Sequence, residues 1–283
     1  MSLRSACCEL PGGKTSCRRV GFISVRRARA WTNGLKEDET MTEYRERGYR
    51  HHIHHEHLVA FEVVVKETDL FILADSDFTA LAEDAIYKIR GPLEGYIDQH
   101  PQFLHAMTPL PDDHLAPPIV REMISAAQNC GTGPMAAVAG AIAERVGLAL
   151  LTESSEVVVE NGGDCFIKVD RPMQIGIFAG QSDLSEKLAL RIHPVNTPLG
   201  VCTSSGTVGH SISFGCADAV TVIASSTALA DAAATMTCNQ VQSKNDIHRA
   251  LSFAQGIEGV RGVVVVVEDQ VGAWGDVELI PLF

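Results

Sequence analysis

Val220-Thr221-Val222-Ile223-Ala224-Ser225-Ser226-Thr227-Ala228-Leu229-Ala230-Asp231-Ala232-Ala233-Ala234-Thr235 is the stretch on which the reading of this chain turns. Its first half is β-branched and apolar, which predicts a buried strand over Ala219–Ala224. Ser225, Ser226 or Thr227 then supplies an N-cap hydroxyl, and a helix follows. Asp231 and Thr235 are four apart and share one face of that helix. Nearly everything between them is Ala. A carboxylate and a hydroxyl on a methyl-sized surface suit Mg²⁺, which takes oxygen ligands and keeps water or phosphate as the rest. The same pattern equally describes a close-packed Ala helix with Asp231 capping or in a salt bridge, and both readings stand at this point.

Upstream lies Val201-Cys202-Thr203-Ser204-Ser205-Gly206-Thr207-Val208-Gly209-His210. Its hydroxyls and N–H groups could hold an oxyanion, and Ser205 stands beside the flexible Gly206. His210 has the intrinsic pKa of a general base. Cys202 would be a nucleophile only with a lowered pKa. The alternative is a Ser-rich turn with a buried Cys. Further upstream, Val157-Val158-Val159-Glu160-Asn161-Gly162-Gly163-Asp164 runs from a strand into a polar Gly-Gly turn. Such a turn is either a plain hairpin or a nucleotide-facing loop, since paired Gly exposes backbone N–H groups. The helix at 134–150 is small-faced, with Ala139 and Gly140 at its centre, so a backbone or a ligand can approach closely.

Together these segments resemble the ApbE flavin transferases. Ala230-Asp231-Ala232-Ala233-Ala234-Thr235 is similar to their A-D-A-x-A-T helix, and Val220–Ala224 to their V-T-V-x-A strand. Asn161-Gly162-Gly163-Asp164 matches their G-G-D turn, and Ser205-Gly206 with His210 their S-G…H segment. Ala136–Glu144 is similar to their G-I-A-K-G-Y-A-V-D helix. The match is closer still to a family of prokaryotic proteins related to ApbE. It rests on Glu67-Thr68-Asp69-Leu70, on 133–140, on 206–211 and on Val271-Gly272-Ala273-Trp274-Gly275, and it covers about residues 45–283. The resemblance implies an α+β, ApbE-like fold and binding of FAD or a related nucleotide with Mg. It also implies transfer of FMN to a Ser or Thr of an acceptor protein. Asp231 and Thr235 would then be metal ligands. Asn161, Gly162, Gly163, Asp164, Thr203, Gly206, Ala139 and Gly140 would face the cofactor. His210, Ser205 and Cys202 would be catalytic. Two positions depart from the ApbE pattern: Ala139 stands where those enzymes have Lys, and Ser213 where their H-I-I-D-P has Asp.

The rest of the chain bounds the answer. Of 283 residues, 46% are hydrophobic and 20% charged, the composition of a folded globular protein. Antiparallel strands packed with helices are expected at 58–65, 70–74, 156–160, 164–169, 173–178, 187–193, 199–203, 210–214, 218–224, 262–267 and 276–281. Helices are expected at 79–99, 119–129, 134–150, from about 227 and from about 245. Residues 1–44 read as a disordered or upstream leader, and 45–283 as a single α+β domain. The leader to residue 40 holds eight Lys/Arg against four acids, and the remainder 15 basic against 31 acidic residues. An acidic body repels phosphate backbones, so no nucleic-acid partner is expected. No stretch of 18 apolar residues occurs, so no membrane partner is expected. Without Cys-x-x-Cys pairs or a secretory h-region, a cytoplasmic location with free thiols is expected. The composition is compatible with a homo-oligomer. The His-rich run at 51–57 reads either as a solvated strand start or as a peripheral metal site. Two further function classes stay open: a non-catalytic ligand-binding module of the same fold, and a thiol-based sulfur-handling protein in sulfur assimilation, resting on Cys202 and Cys165.

Overall fold

Three two-residue hairpins set the architecture. The computed structural model describes residues 21–24, 57–207 and 214–282. Strand β2 (Val59–Val65) turns through Lys66-Glu67 into β3 (Thr68–Ala74), with Lys66 at φ 55°. Strand β4 (Val157–Asn161) turns through Gly162-Gly163 into β5 (Asp164–Lys168), and both glycines have positive φ, 67° and 104°. Strand β10 (Val260–Val267) turns through Glu268-Asp269 into β11 (Gln270–Gly275). Positive φ in such turns matches the right-handed twist of the flanking strands.

With β1 (Gly21–Ser24), β8 (Leu199–Ser204) and β9 (Ala219–Ala224), these strands form one nine-stranded sheet, ordered β1-β11-β10-β9-β8-β5-β4-β3-β2. Every neighbouring pair is antiparallel. A second sheet of three strands, β12 (Leu279–Pro281), β7 (Leu188–Ile192) and β6 (Met173–Gly176), is also antiparallel.

Side-chain alternation then assigns two faces. Leu70, Ile72, Val157, Val159, Phe166, Cys202, Val220, Val222, Val263 and Val265 point to the helices. Leu73, Val158, Cys165, Ile167, Val201, Ile223, Val264 and Val266 point to a second core shared with the small sheet. Covering on both faces explains why β9 and β10 read as nearly continuous apolar runs although the sheet is antiparallel. The helical layer comprises α1 (Thr79–Gln99), α2 (Gln102–His105), α3 (Pro118–Cys130), α4 (Val138–Leu150), α5 (Thr227–Asn239) and α6 (Ile247–Gln255). A 3₁₀ turn, Pro134–Ala137, leads into α4. Helix α5 is the centre of the layer: it packs on β8 and β9 and is covered by α3, α4 and α6. Only Asp231, Met236 and Asn239 along it are more than marginally exposed. A helix apolar all round is the form that such a position demands.

The α+β, largely antiparallel expectation holds, with two corrections of detail. The strand expected at 276–281 is the shorter β12, Leu279–Pro281, and β11, Gln270–Gly275, was not expected. Gly272 dilutes the apolar pattern of β11, and a side chain there would strike Ile247, its built Cβ lying 2.4 Å from Ile247 Cγ2. Of the strand expected at 210–214, residues 210–213 lie outside the described residues, and Phe214 is not in a strand. The connector at 101–118 contains the short helix α2. Of the His-rich run only His57 is described; its ring pairs with the Glu156 carboxylate. No single helix among the described residues is long and apolar enough to cross a membrane.

Candidate functional site

Helices α4 and α5 begin at the same place, and each is capped by a carboxylate of the other. Ser226 is the N-cap of α5, its Oγ accepting from Leu229 N at 3.4 Å. One turn in, Asp231 Oδ2 accepts the Gly140 N–H at 2.9 Å, in the first turn of α4. In return, Glu144 Oε2 accepts from Ser226 Oγ at 3.0 Å, from Thr227 N at 2.7 Å and from Ala228 N at 3.4 Å. These are orphan donors of a helix start, and carboxylates at that end also oppose the helix dipole favourably. The approach is possible only because residue 140 is Gly. A Cβ there would lie 2.4 Å from Thr227 O and 2.9 Å from Asp231 Cβ. On the other side of Thr227, a Cβ on Gly200 would lie 2.4 Å from Thr227 Cα. The small face of α4 is therefore a helix–helix contact, and the capping role open to Asp231 is one that it fills.

The Gly-Gly turn joins the same place. Asn161 Nδ2 donates to Ala139 O at 3.0 Å, tying the end of β4 to the start of α4. Gly163 N donates to Glu160 Oε1 at 2.7 Å, which closes the turn. Asp164 follows, buried, on the helix-facing side of β5 and paired in register with Cys202 of β8. Sequence-expected residues Ala139, Gly140, Asn161, Asp164, Cys202 and Asp231 thus meet where α4, α5, β5 and β8 converge. Thr235 is one turn further along α5 and buried.

Two carboxylates dominate the electrostatics. Loss of water raises the Asp164 pKa well above the ordinary 3.8, and the Asp231 charge raises it further. Loss of water pushes Asp231 up to about 7, against the N–H bonds from Gly140 and Ala139 that favour its charged form. Among the described residues, no basic side chain is among the groups acting on either acid. The thiols around them respond in kind. Burial, with the Asp231 charge, lifts Cys130 to about 12. Burial, with the charges of Asp164 and Asp231, lifts Cys202 well above 9. The Ser204 hydroxyl, two residues beyond Cys202 on the same face of β8, is buried and has no hydrogen-bond partner.

Several expected site residues are placed elsewhere. Strand alternation puts Thr203 on the far face of the sheet, where its hydroxyl meets that of Thr221 at 2.9 Å. It does not share the site with Asp231. Cys202 fails the condition for a nucleophile: it is fully buried, its Sγ donates to Thr227 O at 3.4 Å, and neighbouring acids oppose its ionisation. Cys165 is buried on the opposite face, in the second core, so the two thiols do not form a pair. Ser205 and Gly206 form one side of the base of the loop between β8 and β9. Ser205 Oγ accepts Thr207 N at 3.1 Å, and Gly206 N donates to Ala217 O at 2.9 Å. A Cβ on Gly206 would lie 1.8 Å from Gly215 O, so the two sides of the loop base touch. His210 belongs to this loop and lies outside the described residues. Among the described residues, no three His, Cys, Asp or Glu side chains gather as a ready-made metal cage. Glu144 and Ser204 were missed in the sequence. The first was visible only as the last residue of the Ala136–Glu144 match, the second only as one hydroxyl among four.

Comparison with known proteins gives a consistent picture. The family model described as "AbpE bacteria" matches residues 50–270. A UPF0280 protein of Methanocaldococcus jannaschii is 41% identical over 221 residues, covering 76% of this chain and 90% of the relative. A UPF0280 protein of Methanosphaerula palustris is 43% identical over 215 residues, covering 75% of this chain and 89% of the relative. Among solved structures, the flavin transferase ApbE of Vibrio cholerae aligns with a TM-score of 0.51 at 14% identity, covering 77% of this chain and 96% of that one. The apo flavinyl transferase ApbE of Pseudomonas stutzeri aligns with a TM-score of 0.50 at 15% identity, covering 76% and 93%. At these identities the structural likeness establishes the ApbE-like fold.

Proposed function

The chain belongs to the family described as AbpE bacteria, and from that premise we propose that it binds a flavin or related nucleotide through a divalent cation held at Asp231, with FMN-transferase-like phosphoryl chemistry. The observation that carries this reading is the pair Asp164–Asp231: a buried and a half-buried carboxylate that repel one another, with no basic side chain among the described residues acting on either. A divalent cation converts that repulsion into attraction. The donor set suits Mg²⁺, which needs one or two carboxylates and takes water and phosphate for the remaining positions. The unpartnered Ser204 hydroxyl on the same face is a further oxygen for such a group.

In this reading Asp231 is the principal ligand, already oriented by the α4 N–H groups, and Thr235 and Asp164 stand as its neighbours. The bound cation would neutralise the nucleotide pyrophosphate. The Asn161-Gly162-Gly163 turn, tied to Ala139, borders the nucleotide. His210 would take the proton of an acceptor hydroxyl, that hydroxyl oxygen would bond to the FMN phosphorus of FAD, and AMP would leave with the electron pair of the broken P–O bond. Positioning and charge carry most of such a transfer. Ala139 in place of the ApbE Lys favours a second reading, in which the ligand is held without turnover.

Two measurements separate the possibilities. FAD fluorescence, titrated with the full chain with and without Mg²⁺, should reveal Mg²⁺-dependent binding. No binding of any flavin would overturn the proposal. AMP release from FAD in the presence of an acceptor protein would establish transfer, and binding without AMP would favour the holding role.

A further inference from the structure

We infer that Glu144 is a positioning residue for Asp231. It is the only residue through which α4 grips the start of α5 by a side chain, among the bonds described, and its single oxygen Oε2 holds Ser226 Oγ, Thr227 N and Ala228 N. The residue so held is tightly packed on two sides: Thr227 has its carbonyl against Gly140 and its Cα against Gly200, both too close to admit a methyl group. Asp231 lies four residues on, one turn above Thr227 on the same side of the helix. Its own bond, to Gly140 N at 2.9 Å, runs back to the helix from which Glu144 reaches out. The two helices are therefore locked by a reciprocal exchange: an α4 carboxylate on the α5 start, and an α5 carboxylate on the α4 start. Glu144 fixes where α5 begins, and that fixes where the Asp231 carboxylate sits.

Sterics alone do not set this register. The glycines prevent Thr227 from moving closer, but nothing in them prevents it from moving away. The Glu144 oxygen supplies the attraction, through charge-assisted bonds that are stronger than neutral ones. Removing it leaves the first-turn N–H groups of α5 without their acceptor. The α5 start then shifts from α4, and the Asp231–Gly140 bond lengthens or breaks. Gln keeps an acceptor oxygen at the same reach, so Glu144→Gln should preserve the register that Glu144→Ala loses.

The inference rests on the cation-site reading of Asp231 for its functional consequence, but not for its structural one, and the test separates them. Amide hydrogen exchange is measured at Ala139 and Gly140 in the ligand-free wild type, Glu144→Ala and Glu144→Gln. We expect Gly140 exchange to accelerate at least tenfold in Glu144→Ala and to return to within about threefold of wild type in Glu144→Gln. Unchanged Gly140 protection in a folded Glu144→Ala would overturn the inference, whatever the flavin results. Where wild type shows Mg²⁺-dependent FAD binding, the same variants are titrated with Mg²⁺ at saturating FAD. A weakening of at least tenfold in apparent Mg²⁺ affinity for Glu144→Ala, rescued by Glu144→Gln, supports the role. A lowered melting temperature with unchanged Mg²⁺ affinity in both variants would mean that Glu144 only stabilises the fold, and would refute it. Absence of the Mg²⁺ effect in wild type itself would count against the cation reading and leave the exchange measurement to decide the positioning role.

Discussion

At the residue scale, Asp231 is held by two opposing influences. Backbone N–H groups of α4 favour its charge, and its burial disfavours it more, so that its pKa rises to about 7. The sign of the consequence follows from linkage. The unfolded chain has an ordinary Asp, deprotonated above about pH 4, while the folded chain retains the proton to about pH 7. Stability contributed by the neutral form is full below about pH 4 and lost as pH rises through 7. Asp164, raised in the same direction, extends the loss upward. Ligand-free protein should therefore melt lower at pH 8 than at pH 5, by roughly 5 °C for a domain of this size. Asp231→Asn should flatten much of that slope in a calorimetric pH series. An equal slope in the variant would show that Asp231 is not the group responsible. The residue scale is also where the sequence was least informative. The Asp231-Thr235 spacing was legible, and so was the capping role as one of its readings. That the cap is given to α4, and answered by Glu144, depends on residues 91 and 82 positions apart along the chain.

At the scale of elements, the sequence was a better guide. The helix start at Ser226-Thr227, the Gly-Gly hairpin and the buried run of β9 were each written in local chemistry: an N-cap hydroxyl, two residues tolerant of positive φ, and β-branched apolar side chains. Thr203 shows what a local reading omits. It lies in the hydroxyl-rich stretch, yet one step along a strand turns its side chain to the other face. Strand β11 was hidden by Gly272, whose missing side chain serves α6 and not the strand. The close contact of α4 with α5 makes a sharp test. Gly140→Ala places a methyl group against the Thr227 carbonyl, a backbone atom that yields only if a helix moves. Overpacking of this kind should cost about 2–3 kcal/mol in denaturant unfolding, and it should disturb Asp231 in the same step. A variant as stable as wild type would mean that the helices are not so closely apposed.

On the scale of the whole molecule, the sheet is a scaffold with two differently used faces. The second core, under the small sheet, is apolar and holds Cys165 and the Thr203–Thr221 contact. The helical face holds the acids and the unpartnered Ser204 hydroxyl. The ApbE-like fold was legible because its motifs lie on strands and turns that build the site. Ala139 and Ser213 mark where the chain departs from the ApbE pattern. What joins fold to function is whether the Asp164–Asp231 pair exists to hold a cation.

That claim is tested most directly by the melting temperature of the full chain with FAD, measured with and without Mg²⁺, in wild type and in Asp231→Asn. The account predicts a stabilisation by FAD that requires Mg²⁺ in wild type and disappears in Asp231→Asn, while the ligand-free variant melts no lower than wild type at pH 8. A flat response to FAD and Mg²⁺ in wild type, or an equal response in Asp231→Asn, would contradict it.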